Sequence, residues 1–183
     1  MALFNFIGKK KLKEQHVANV FVSTINELAE ESFPTLAEFL NEVPELQSSP
    51  SIKKDQLEWF LYIVFSANLF NLKFHLEAEQ LNRMRILVID QFIESLEDRN
   101  HDQTLEHINN YEDYIAVLDR TTGYLPKSIA TALFNKYGLN NCQVDHFQKM
   151  NTPNPIIIKS IEEATKNFVW NWVDFLEKYK MVA

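Results

Sequence analysis

Asn68, Asn71, His75 and Glu79 follow one another at steps of three, four and four. On an unbroken helix those steps put all four on one face. An imidazole and a carboxylate at i, i+4 can ligate a metal ion or work as an acid–base pair. A di-metal bundle site repeats such a pair on a facing helix, and no second HxxxE or ExxH pair occurs. The expectation is an exposed strip or a polar helix bend, with no metal and no cofactor.

A second row, Asp90, Glu94, Glu97 and His101, keeps one face beside the apolar row Ile86, Ile89, Ile93 and Leu96. Carboxylates with a histidine can hold a divalent cation, but charges flanking an apolar stripe are what any surface helix shows. Cys142, Asp145 and His146 are sequence neighbours. A nucleophilic thiol needs a base and a lowered pKa, and no Gly-rich oxyanion turn lies near. His16 and His107 have no partners in sequence. Walker, dinucleotide, EF-hand, HExxH and GxSxG patterns are all missing.

The elements that would position these groups read as helices. From Ser51 to Thr122 there is neither glycine nor proline. A single helix of that length would run about 108 Å, so the stretch must fold back at least twice. Val17, Val20, Phe21, Thr24, Ile25 and Leu28 predict a helix over residues 14–31. Pro34 should interrupt it. Thr35 and Glu38 have capping-box spacing for a short helix with Leu36, Phe39, Leu40 and Val43 inward. Residues 47–51 read as a loop, and Ser51 can cap the next helix. That helix, at about 54–72, is apolar nearly all round from Trp59 to Leu72, yet too short and too polar at its ends to span a bilayer.

A bend is expected between Asn71 and Glu77, then a helix carrying Leu81, Met84, Val88, Phe92 and Leu96. The polar run from Glu97 to Asp102 should end it. Asp102 or Thr104 can cap a helix bearing Leu105, Ile108, Tyr111, Ile115 and Leu118, which Gly123 stops in the αL conformation. Pro126 suits the first turn of the next helix, with Ile129, Leu133 and Phe134 inward and Gly138 at its end. Residues 139–155 read as irregular and 157–179 as a last helix. The expected fold is all-α: one helical domain over residues 14–183, a bundle or array of six to eight helices around the apolar helix 54–72, preceded by a head at 1–13.

The last helix carries the row Ile161, Ala164, Phe168, Trp172, Phe175 and Tyr179. At 100° per residue, Trp170 then shares its face with Glu163, Lys166, Asp174 and Glu177. It must pack under the loop 139–155 or anchor a partner, which makes Trp170, Lys166 and Asp174 partner-binding candidates. In the head, Leu3, Phe4, Phe6 and Ile7 precede Lys9, Lys10, Lys11 and Lys13. Phe4, Phe6, Lys9, Lys10 and Lys11 could meet a partner or, weakly and reversibly, an anionic membrane surface.

Net charge is −7, and residues 14–52 carry seven Asp or Glu and no Lys or Arg. Such a surface disfavours nonspecific phosphate-backbone binding, so nucleic acid is an unlikely partner on charge grounds. Only three glycines occur, too few for phosphate-cradling loops or many tight hairpins. A lone cysteine forms no internal disulfide, and the head's short apolar part precedes its lysines instead of following them, so a reducing, cytoplasmic setting is expected. Three functional readings remain. The first is a non-catalytic interaction or accessory protein whose partner is another protein. The second is a helical carrier of a small apolar molecule, drawing on 14 phenylalanines. The third is an enzyme using His75 and Glu79. A closed cavity lined by Phe and Trp would favour the second, and a filled core with an apolar patch outside the first.

Overall fold

The computed structural model describes residues 9–96 and 100–183. It is an all-α array, as the spacing implies. In chain order come strand β1 (Lys10–Lys13), helices α1 (Glu14–Asn41), α2 (Leu57–Leu72), α3 (Ala78–Ser95), α4 (His101–Thr122), α5 (Leu125–Lys136), α6 (Asp145–Met150), α7 (Pro155–Thr165) and α8 (Trp172–Lys178), then strand β2 (Tyr179–Val182). The two strands pair in parallel and are the only sheet among the described residues.

Helix α2 is the axis of the core. Twelve of its 16 residues are buried, and it packs on α4, α1 and α5. A helix without a polar face can persist only when neighbours cover every side. Phe65 stacks on Phe92 of α3 with ring centroids 3.8 Å apart, and Phe60 meets Phe33 of α1 and, edge to face, Phe168. The polar groups inside are served locally. Ser66 Oγ donates to the Ile108 carbonyl at 3.1 Å, and Tyr62 lies 3.4 Å from Thr104 Oγ1.

Several local expectations need correction. Helix α1 runs through Pro34 for 28 residues. Its inward face continues across the proline with Phe33, Leu36, Ala37 and Leu40 buried, and the carbonyl deprived of the Pro34 N–H belongs to exposed Glu30. Burial on both sides of Pro34 outweighs the lost bond. Thr35 and Glu38 are therefore mid-helix, and Phe39, expected inward, is exposed. Val20 and Thr24 also face out. Ser51 adopts a positive φ of 56° and caps nothing. A 3₁₀ turn at Lys54–Gln56 leads into α2 instead. Asn100, not Asp102 or Thr104, caps α4, accepting from the N–H groups of Asp102 and Gln103. The expected bend lies at residues 73–77. Gly123 and Gly138 take positive φ where α4 and α5 end.

The largest difference is at the last helix. Residues 157–179 are not one helix. α7 stops at Thr165, a 3₁₀ turn covers Lys166–Phe168, α8 starts at Trp172, and the chain leaves it at Tyr179 as β2. The segment 139–155 is also more ordered than expected, with a 3₁₀ turn at Leu139–Cys142 and helix α6. Buried Gln143 organises it. Its side chain donates to Asn140 Oδ1 and the Thr152 carbonyl and accepts from the Asn154 N–H at 2.6 Å.

Candidate interaction surface

The polar stripe does not assemble. Asn68 is fully buried on α2, whereas Asn71 and His75 are half-buried and Glu79 is exposed. His75 lies beyond the end of α2 and Glu79 in the first turn of α3. The bend separates residues that only a continuous helix would align. Burial holds the His75 pKa below its ordinary value. Among the described residues no three His, Cys, Asp or Glu side chains are grouped to hold a metal ion.

Asn68 has a different task. Its Nδ2 donates to the Val64 carbonyl at 2.9 Å and the Phe168 carbonyl at 2.7 Å. Its Oδ1 accepts from the Trp170 N–H at 2.8 Å. The carboxamide thus satisfies two backbone groups that a continuing helix would have bonded internally. This breaks the last helix between Phe168 and Trp170. Asn171 then caps α8 by accepting from the Asp174 N–H.

The break removes the geometry that set Trp170 apart from the aromatic row. Trp170 is half-buried and packs on Phe21 of α1, Trp172 and Phe175, with ring centroids 5.4, 5.9 and 6.1 Å away. Its aromatic neighbours belong to α1 and α8. Lys166 is exposed and pairs with Glu163 at 2.5 Å, which lowers the Glu163 carboxyl pKa and raises that of the lysine. Asp174 is exposed on the far side of the break.

Cys142 is buried while Asp145 and His146 are exposed, and Asp145 lies 3.4 Å from Lys149. Asp90 and Glu94 are exposed on α3, His101 opens α4, and Glu97 lies outside the described residues. Phe4 and Phe6 lie outside them too. Lys9 donates to the Leu176 carbonyl at 2.6 Å at the end of α8, and Lys10 and Lys11 belong to β1.

Two apolar grooves flank α7. On one side, the end of α4, the start of α5 and α7 enclose a cleft of about 540 Å³. Leu118, Ile158, Pro153 and Pro155 supply apolar walls, and Lys127, Lys159 and Glu162 stand among the lining residues. Its hydroxyls are largely engaged. Thr122 Oγ1 lies 2.7 Å from Ser128 Oγ, and Thr131 Oγ1 donates to the Lys127 carbonyl at 2.8 Å. On the other side, Phe39, Pro155, Ile156, Lys159 and Ser160 line a second groove of about 550 Å³. Ile156 is 57% exposed.

The fold aims these residues deliberately. Gly123 turns α4 into α5, Gln143 holds the loop before α7, and Asn154 caps α7 by accepting from the Ile156 N–H at 2.9 Å. Sequence reasoning missed this surface. Its one local signal was the pattern Pro153–Asn154–Pro155 before three isoleucines, a rigid entry to a helix with more apolar residues than one buried face needs. No family model, curated protein or solved structure matches this chain.

Proposed function

We propose that this chain is a non-catalytic protein-binding module whose contact surface is the exposed ridge of α7 with its two flanking grooves. The observation carrying this reading is the pair of apolar grooves that share Pro155 and Lys159, with Phe39 and Ile156 exposed in one of them. Exposed apolar residues gathered at concave features mark contact sites far better than scattered ones do. The groove dimensions suit the apolar side chains of an amphipathic helix. Lys127 and Lys159 would meet acidic residues on its flanks. The engaged hydroxyls and the separation of His75 from Asn68 and Asn71 offer no converging acid, base and nucleophile, so the enzyme reading gains no support.

The carrier reading has one observation in its favour, the size of the α4–α5–α7 cleft. That cleft is open and walled by Thr, Pro, Leu and Ile, not by Phe and Trp. Photo-crosslinking discriminates the two. A photoreactive residue at Ile156 or Thr131 should capture a protein in the source cells, and one at exposed Asp90 should not. Capture at all three positions, or at none with a lipid or other small apolar molecule extracted from the purified chain, would overturn the protein-binding reading.

A further inference from the structure

Of the 18 Lys and Arg residues, six fall in two short segments, Lys9, Lys10, Lys11 and Lys13 in one and Lys178 and Lys180 in the other. The fold joins these segments. β1 and β2 pair in parallel with Lys11 opposite Lys180 and Leu12 opposite Met181. Registered partners point to the same side of a sheet, and successive residues to opposite sides. Leu12 and Met181 face the core, so Lys11 and Lys180 stand together on the outer face, with Lys13 at the next outward position. Like charges directly opposite one another cost stability. Glu14 spends its charge on Arg83 at 2.8 Å, and Lys10, Lys11, Lys13, Lys178 and Lys180 form no ion pair among the described residues. On a chain of net charge −7, this is a concentrated positive strip.

Apolar surface lies beside it. Ile86 is 61% exposed and shares a shallow cleft with Lys13, Leu87 and Ala183. In sequence, Leu3, Phe4, Phe6 and Ile7 come shortly before the first lysine of the strip. Lysines beside exposed aliphatic surface suit an interfacial lipid contact, in which charge meets headgroups and apolar side chains enter the acyl boundary. We infer that the outer face of the β1–β2 ribbon, with Lys11 paired to Lys180 and Lys13 beside Ile86, docks on an anionic lipid surface. An acidic polypeptide would use the lysines and leave Ile86 idle. The inference is independent of the α7 surface.

The test is sedimentation of the full chain with phosphatidylcholine vesicles, with and without phosphatidylserine. The chain should sediment only with the phosphatidylserine vesicles and be released at high salt, where screening shortens the reach of charge. Each lysine near an anionic surface contributes about fivefold in affinity. The combined variant Lys11→Ala, Lys13→Ala and Lys180→Ala should therefore bind about a hundredfold more weakly. Its unfolding midpoint should be unchanged or higher, since the variant relieves repulsion. Lys127→Ala with Lys159→Ala, on the α7 surface, should bind as the unaltered chain does. Three results would each overturn the inference: no sedimentation with phosphatidylserine vesicles, equal sedimentation of the ribbon variant, or equal losses from the ribbon and α7 variants. Binding to duplex DNA or polyglutamate without vesicle binding would overturn it as well.

Discussion

Asn68 and Ile156 are displaced in opposite senses, a carboxamide inside the core and an isoleucine outside it. The interior residue has complete company: three hydrogen bonds at 2.7–2.9 Å reach backbone groups of its own helix and of the distant segment 168–170. The exterior residue is 57% exposed, sitting beside an open groove with Phe39 and Lys159. A polar group that the fold has fully partnered is spent on architecture, as buried polar groups generally must be. An apolar group that the fold leaves unpartnered is free to be spent on something else. Asn68, which looks chemical in sequence, is structural here, and Ile156, which looks structural in sequence, lies on the candidate contact surface.

Substitutions should break this contrast in a definite order. The largest effect belongs to Asn68→Leu, which keeps the volume but strands the Phe168 carbonyl and the Trp170 N–H. Each buried unpaired group costs about 1–3 kcal/mol, so a loss of about 3 kcal/mol or more is expected in urea unfolding. A loss under about 1 kcal/mol would mean the helix break does not depend on the carboxamide. Trp172→Ala should match it at about 3–5 kcal/mol, the range for large buried side chains. Trp170→Ala should cost about half as much, because the ring is only half-buried.

Two pH steps sharpen the interior side of the comparison. Buried Glu14 accepts two hydrogen bonds from Arg83 and one from Gln80. The Arg83 hydrogen bond, opposed by burial, holds the carboxyl below its ordinary 4.5. Its folded pKa lies under its unfolded one, so its contribution is full above about 4.5 and is lost as pH falls through the folded value. For His75 the ordinary value is 6.5 and burial lowers it. The folded chain therefore prefers the neutral ring, and stability begins to fall as pH drops below about 6.5. Unfolding midpoints measured from pH 7 downward should show both steps. Glu14→Gln should remove the lower step and His75→Gln the upper one. Retention of a step in its own variant would assign it to another group. The smallest stability effect belongs to Ile156→Ser, within about 0.5 kcal/mol, as expected for a residue outside the core.

The order in which features became legible follows the range of the interactions behind them. Helix existence was legible because spacing is local: the row through Met84, Val88 and Phe92 and the all-round apolar run of α2 each specify a helix and its burial. The stops at Gly123 and Gly138 were legible because αL geometry is a property of one residue. What failed was set by contacts distant in sequence. Pro34 reads as a breaker until Phe60 of α2 and Tyr137 pack on the adjoining Phe33. The last helix reads as continuous until Asn68, 102 positions before Trp170, takes its backbone partners. The pairing of Lys11 with Lys180 follows the same rule, since strand register across such a separation leaves no trace in either segment alone. The α7 grooves were invisible because they are made by the relative placement of α1, α4, α5 and α7, of which the sequence supplies only one wall at a time.

The central claim is that binding belongs to the α7 surface and not to the polar stripe or the tryptophan break. Its most direct test uses the protein captured by a crosslink at Ile156. Its affinity is measured for the unaltered chain and for Ile156→Asp, alongside the unfolding midpoint of each. Placing a charge at the centre of an apolar contact should weaken binding by about thirtyfold or more, equivalent to about 2 kcal/mol, with the midpoint unchanged. Unchanged affinity in Ile156→Asp, together with lost affinity in Asp174→Ala or Lys166→Ala, would contradict the claim and return the contact to the residues around Trp170.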